Sequence, residues 1–407
     1  MRRRGVFSQG EFAPGVRIAV LLVSLAVVPA AKGQAEKAPL REGFEQLATQ
    51  AAEAQRQGQT EEAIRLYQRA LRIRPKWGEG WRSVGILLGG RKEHARAAAA
   101  FRKLLNIEPN NGAGWAQLGL CEYEQGRNDM AWKHMHRGQA LGIGNADLER
   151  AATYHGALIA IQRGEFQVAH RFLGRLARSD VDDPELITAF GLAALRIAKS
   201  PERVDAQQKG LVDRVGQIEL QARHRQAPEI VAAYEKLLAE LPGTPGLHYA
   251  FGNVLAGLGQ YERAIEEMKT ELKLNPDDVL AMLQVAMSHV NVNQPDQALP
   301  YAEKAVRLAP QLFAARYVQG WTLFRLGQIE RAIPELEKTV KLEPNSTGAH
   351  YVLLQAYLRA GRKAEADRER DIVTRLSQKA PPRGSAMGRE YSGMPAENLP
   401  SPPDPQM

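Results

Sequence analysis

The sequence predicts an all-α chain built as a stack of helical hairpins, and three observations carry that prediction. Prolines stand at Pro75 and Pro109, then at Pro242, Pro276, Pro310 and Pro344, with 34 residues between neighbours in each group. Alanines keep the same spacing at Ala63, Ala97 and Ala131, and again at Ala264, Ala298, Ala332 and Ala366. Small residues do so at Gly85 and Gly119, then at Gly252, Ala286 and Gly320. A period in this range marks helix pairs that each bury an apolar face against their neighbours. The architecture points to binding rather than catalysis and does not name what is bound.

The chain opens with Arg2, Arg3 and Arg4, followed by an apolar run from Ile18 to Val28 and the small residues Ala30, Ala31 and Gly33. A basic head, a short apolar middle and a small-residue exit describe a secretory signal peptide over residues 1–33. The apolar run rises about 16 Å as a helix, whereas a span needs about 20 residues. Cleavage therefore leaves no stable membrane span, and an uncleaved anchor is the alternative. Arg3-Arg4-Gly5-Val6-Phe7 loosely resembles a twin-arginine export signal, with general secretion the preferred route. The protein is expected to be exported, to a periplasm or beyond.

Residues 34–43 read as a loose segment. The first array is expected over 44–183, with about four repeats. Its first unit, Phe44–Trp77, breaks at Gly58, where a left-handed glycine ends the first helix. Ile64, Tyr67, Ala70 and Leu71 then form one apolar helix face, and Pro75 stops it. Gly78–Asn111 and Gly112–Asn145 repeat this plan, the latter with its turn at Gly126 and Ile143 at the proline position. A fourth unit, near Arg150–Asp183, turns at Gly164 and is displaced by four residues. Residues 184–227 read either as a degenerate repeat or as a helical linker, with a continuous solenoid preferred. The second array covers 228–380: a degenerate repeat, then Pro245–Asp278, Val279–Leu312, Phe313–Ser346 and Thr347–Ala380. Its turns fall at Gly259, Asn293, Gly327 and Gly361, and its last helix is charged like a terminal cap. Residues 381–407 are rich in Pro, Gly and Ser and are expected to be disordered.

Composition narrows the partners. Residues 1–33 hold five basic groups and one acidic group, so half of the net charge of +8 belongs to the leader. The remaining charges are interspersed, without the basic stripe that nucleic-acid binding requires. The single cysteine, Cys121, forms no internal disulfide and reads as a small buried hydrophobe. His134 and His136 lie on different faces of a helix and do not form a metal pair. Gly142-Ile143-Gly144 lacks the strand and third glycine of a nucleotide loop. No cofactor, metal or catalytic group is expected, and no enzyme.

Trp81, Val84-Gly85, Leu88, Ala97, Phe101 and Pro109 together resemble the tetratricopeptide repeat. Trp115, Leu118-Gly119 and Ala131, and Phe251-Gly252, Ala264, Pro276, Gln319-Gly320, Ala332 and Pro344, repeat the match. The resemblance implies a right-handed superhelix of antiparallel helix pairs, with first helices lining a groove for a peptide or a partner's helix. It places groove residues at Tyr249, Asn253, Leu283, Gln284, Met287, Tyr317, Trp321, Phe324, Tyr351, Gln355 and Arg359. The first-array equivalents are Arg82, Ile86, Gln117, Leu120, Tyr123, Tyr154, His155 and Leu158. Tyr317, Trp321 and Phe324 share a helix face and form the expected aromatic centre of the groove, or else a closed core. Trp81 and Trp115 read as packing residues between helices. The carboxylate-gripping subtype is not matched, since Tyr249 precedes Asn253 and Ala314 and Val318 stand where basic residues belong. The expected function is an exported scaffold or adaptor for a protein or peptide. Alternatives are a structural homo-oligomer formed by stacked solenoid ends, or a polysaccharide-handling factor.

Overall fold

The computed structural model describes residues 38–177, 183–222 and 226–379. The leader expected over 1–33 and the tail expected over 381–407 lie outside the described residues. Among those described, nineteen α-helices and one 3-10 turn account for the regular structure, and there is no strand. The chain divides into two compact units, unit 1 ending at Ile159 and unit 2 beginning at Ala160.

Unit 1 contains α1 (Ala38–Arg56), α2 (Thr60–Ile73), α3 (Gly78–Gly90), α4 (His94–Ile107), α5 (Gly112–Tyr123) and α6 (Asn128–Leu141), and most of α7 (Ala146–Gln162). From α1 to α6 each helix packs on the next in sequence. Helix α1 begins at Ala38, so residues 38–43, expected to be loose, are helical. The turns take the left-handed conformation the sequence called for, with φ +73° at Gly58 and +71° at Gly126. Between them the same turn position holds Lys92 at φ +61°, a lysine where glycine is the easier residue.

Unit 2 continues with α8 (Phe166–Leu176), α9 (Pro184–Ala194), a 3-10 turn (Pro201–Arg203), α10 (Ala206–Gln221) and α11 (Ala227–Glu240). It then carries α12 (Leu247–Gly257), α13 (Tyr261–Leu274), α14 (Val279–Asn291), α15 (Pro295–Leu308), α16 (Phe313–Arg325), α17 (Ile329–Leu342), α18 (Thr347–Arg359) and α19 (Lys363–Lys379). Helices α9 and α10, in the stretch where a linker was one reading, pack closely on each other. Glycine makes that approach possible. A Cβ on Gly191 would lie 1.9 Å from the Val212 carbonyl oxygen, and one on Gly216 would lie 1.8 Å from that of Ile187. Aspartates cap both helices: Asp183 accepts from the amides of Glu185 and Leu186, and Asp205 from that of Gln208.

The core of each repeat lies between its two helices. Phe101 fills the space beside Gly85, and Leu336 the space beside Gly320. Ala97, Leu104, Ala332 and Leu336 are completely buried. Burying one leucine side chain contributes about 1.5–3 kcal/mol, so a row of such positions fixes each hairpin.

A recurrent polar contact ties each repeat to the next. A proline carbonyl just past the end of a second helix has no helical partner. The side chain six residues later supplies a donor. Trp81 Nε1 donates to Pro75 O and Trp115 Nε1 to Pro109 O, both at 2.8 Å. His248 Nε2 lies 3.0 Å from Pro242 O, Arg316 Nε 2.6 Å from Pro310 O, and His350 Nε2 3.1 Å from Pro344 O. The sixth case explains itself by substitution. Met282 follows Pro276 and has no donor, and Lys304 Nζ reaches the Pro276 carbonyl instead, at 2.7 Å. In unit 2 these donors are also held from the second helix: His248 by Glu267 at 2.6 Å, Arg316 by Glu335 at 2.7 Å and His350 by Glu369 at 2.5 Å.

Candidate binding face on the first helices

In unit 2 the first helices touch in order, α12 with α14, α14 with α16 and α16 with α18. The sequence placed eleven candidate residues along them, and the structure sorts these into two groups. Tyr249, Leu283, Met287, Tyr317, Trp321 and Phe324 are buried. Gln284, Tyr351 and Gln355 are half-buried, and Asn253 and Arg359 are exposed.

The aromatic centre is therefore core. Tyr317 is 3% exposed, Trp321 6% and Phe324 9%. They belong to one apolar cluster with Leu283, Met287, Leu323, Leu353 and Leu354. The open-groove reading of these rings is corrected for a simple reason. Adjacent repeats both carry large side chains here, and neighbouring first helices bring them together. Tyr317 stacks on Phe313 with ring centroids 5.8 Å apart. Burial pushes the Tyr317 phenol well above its ordinary range. Trp81 and Trp115, read as packing residues, are only half-buried against the unit 1 core, while Trp321 lies within a core of unit 2.

Arginines cover the buried rings. The guanidinium carbon of Arg359 lies 4.1 Å from the Phe324 ring centre and that of Arg325 lies 5.9 Å from Trp321. At the start of the array Arg196 lies 3.6 Å over Tyr249. Arg196 follows α9 directly and holds φ +55°, an uncommon conformation for a long side chain. Its guanidinium grips Asp278 through both carboxylate oxygens, with Nη1 to Oδ1 at 2.7 Å, and lies 3.6 Å from Glu271. Asp278 also caps α14 by accepting from the Ala281 amide at 3.0 Å, and Glu271 accepts from the Gly246 amide at 3.0 Å. The buried acids are thus satisfied by one arginine and by backbone donors. Burial raises the Tyr249 phenol, and the Arg196 charge opposes that shift. This cluster ties the turn after α9 to α12, α13 and α14 within unit 2.

In unit 1 the corresponding stripe is more open. Arg82 is exposed, while Ile86, Gln117, Leu120, Tyr123, Tyr154 and His155 are half-buried, and only Leu158 is buried. Tyr123 meets the His155 ring edge-on at 4.7 Å. Arg82 pairs with Glu108 at 3.5 Å.

The other singled-out residues have structural partners. His134 Nδ1 lies 2.5 Å from Glu122, which also accepts from Arg102 at 2.7 Å, while the His136 ring lies tilted against Trp132 with centroids 4.3 Å apart. Gly142 and Gly144 sit at φ +84° and +69° in the loop after α6, with Ile143 buried between them. Cys121 is buried, and its thiol is pushed up to about 12 by burial, with Glu122 adding to the shift. Sequence reasoning missed Arg196, Arg325 and the proline-carbonyl donors. Five of the donors had a legible signal, each standing six residues after a periodic proline, and Lys304 had none. Arg325 had one too, being 34 residues before Arg359.

These features define a helical-repeat protein whose exposed chemistry lies along rows of like helices. The tetratricopeptide repeat family profile matches residues 49–113 and 249–313, and the anaphase-promoting complex, cyclosome, subunit 3 profile matches residues 291–368. The chain carries tetratricopeptide repeats over those stretches. Similar solved structures include a MamA RS-1 double mutant, 25% identical over 42% of this chain and 98% of that one, with a TM-score of 0.39. MamA from Desulfovibrio magneticus RS-1 is 24% identical, over 41% and 94% of the two chains, at 0.36. YrrB, described as a TPR protein with an unusual peptide-binding site, is 20% identical, over 43% and 94%, at 0.37. No curated protein sequence matches the chain. The repeat family supports a protein-interaction scaffold with a protein or peptide partner. Among the described residues no helix is long and apolar enough to cross a membrane.

Proposed function

We propose that the protein is an exported, non-catalytic scaffold that takes a peptide or protein segment along the first-helix face of unit 2. One observation carries the reading. Helices α12, α14, α16 and α18 touch in order, and polar side chains stay accessible along them beside buried rings. A rigid apolar base presenting Asn253, Gln284, Tyr351, Gln355 and Arg359 suits recognition of an extended segment through side-chain and backbone hydrogen bonds. The buried rings position that surface rather than form it. Export is supported by the basic head, short apolar run and small-residue exit of residues 1–33.

A photo-crosslinking residue at Gln355, compared with one at exposed Lys338 on the second helix α17, tests the site. A partner captured from position 355 and not from 338 is the expected result. Equal capture from both positions sinks the assignment. N-terminal sequencing of the natively exported protein tests the leader, and a membrane-retained chain beginning at Met1 refutes cleavage.

A further inference from the structure

We infer that the first-helix face of unit 2 takes an acidic segment of a partner protein, gripped by Arg325 and Arg359. The inference rests on the docking reading above and adds the partner's chemistry. The two arginines end α16 and α18, stand 34 residues apart and are both exposed. Each guanidinium rests near a buried ring of α16, which orients it.

Their remaining contacts are to neutral acceptors. Arg325 Nη2 donates to Asn293 Oδ1 at 3.1 Å, and Arg359 Nη1 to the Phe324 carbonyl at 3.4 Å. Neither pairs with a carboxylate among the described residues. Other arginines nearby do: Arg263 with Glu235 at 2.6 Å, Arg316 with Glu335 at 2.7 Å and Arg331 with Glu303 at 2.9 Å. An arginine has five N–H donors in a fixed fork that matches a carboxylate. Arg325 and Arg359 therefore keep most of that capacity for an incoming acid.

The pair is confined to the last two full repeats. The residues 34 and 68 before Arg325 are Asn291 and Gly257, which end α14 and α12. Packed helices lie about 8–10 Å apart, and an extended chain rises about 3.3 Å per residue. The fitting partner is therefore an extended segment in the polyproline II form, which rises about 3.1 Å per residue and returns every third side chain to the same face, with acidic residues three positions apart.

The test uses the full chain and short capped peptides with glutamate at every third position among alanine and leucine. Counterparts carry glutamine or lysine in place of glutamate. Fluorescence anisotropy reads affinity at low salt, and a crosslinker at position 355 reads location. Arg325→Gln/Arg359→Gln is compared with Arg307→Gln/Lys341→Gln, an equal loss of charge on the second helices α15 and α17. Thermal melting checks that both variants fold.

The glutamate peptide is expected to bind at position 355, about tenfold or more tighter than its counterparts. The first variant should lose about that factor and the second should change less than about twofold. Equal losses in both variants reduce the effect to net charge and overturn the inference. A glutamine peptide that binds and crosslinks as well as the glutamate one leaves the docking face standing and removes its acidic preference. Absence of any crosslink at position 355 sinks the docking reading and this inference together. An internal crosslink from position 355 to residues 391–407, whose only charged side chains are Glu397 and Asp404, would assign the face to the chain itself and overturn the external partner.

Discussion

In unit 1 the first-helix stripe passes through Arg82, Ile86, Gln117, Leu120 and Tyr123, all exposed or half-buried. In unit 2 the same face of α14 and α16 passes through Leu283, Met287, Tyr317, Trp321 and Phe324, all buried, with Gln284 alone half-buried among the candidates on those two helices. The repeat plan is the same and the outcome differs. Large side chains at matching positions of adjacent repeats cover one another, as Met287 and Trp321 do within one cluster. Where one of the pair is charged and the other small, as Arg82 and Ala116 are, the stripe stays partly in water. A position that lines a groove in one stretch of a repeat array is therefore core in another.

The two tryptophans offer the strongest way to break this comparison. Trp321→Ala should cost about 3–5 kcal/mol, as for a fully packed ring. Trp81→Ala should cost about 2 kcal/mol, from a half-buried ring and one hydrogen bond. Chemical denaturation followed separately for each unit measures both. The reverse order would return Trp321 to an open groove.

Arg196→Met probes the array from its other end. Removing the guanidinium leaves Asp278 and Glu271 buried without their cation, which should cost about 3 kcal/mol or more. Hydrogen exchange should then rise in α12 and α14 ahead of α16 and α18. Uniform exchange along unit 2 would show that Arg196 does not act locally.

The proline-carbonyl donors sharpen the comparison at a smaller scale. Trp115→Phe keeps most of the ring and removes the donor, so unit 1 should lose about 1 kcal/mol. Lys304→Met should cost no more, because its amine is partly exposed and replaces a donor that Met282 lacks. A larger loss from Lys304→Met than from Trp115→Phe would contradict the assigned substitution.

Cys121 reports on unit 1 alone. Its buried thiol, raised to about 12, should resist alkylation near neutral pH until the unit unfolds. Rapid labelling of the native protein would show that α5 opens readily.

His289 gives the smallest effect, in unit 2. Burial lowers its pKa below the ordinary 6.5, although its hydrogen bond to Gln294 opposes the shift. The unfolded chain then binds more protons in acid, so this stability is present above about pH 6.5 and is lost as pH falls through the folded value. The melting temperature of the native protein should fall more on acidification than that of His289→Asn. An equal fall in both would assign the acid sensitivity elsewhere.

Much of this molecule was legible in the residues themselves. The 34-residue spacing of proline, alanine and glycine follows from local rules: proline ends a helix, glycine or asparagine turns left-handed, and small residues admit close helices. Those rules act within one hairpin, so Gly58, Asn293 and Gly361 could be placed without tertiary knowledge. The tetratricopeptide repeat itself was legible for the same reason. Exposure along the first helices was not, because it depends on which side chains adjacent repeats bring together. Tyr317, Trp321 and Phe324 share a helix face in the sequence, but only packing against Met287 and Leu354 made that face core. Nor could the sequence join Arg196 to Asp278 across 82 residues, a buried pairing set by how the turn after α9 meets the N-terminal cap of α14. Periodicity determined the hairpins, and tertiary contact decided which of their surfaces remain available to a partner.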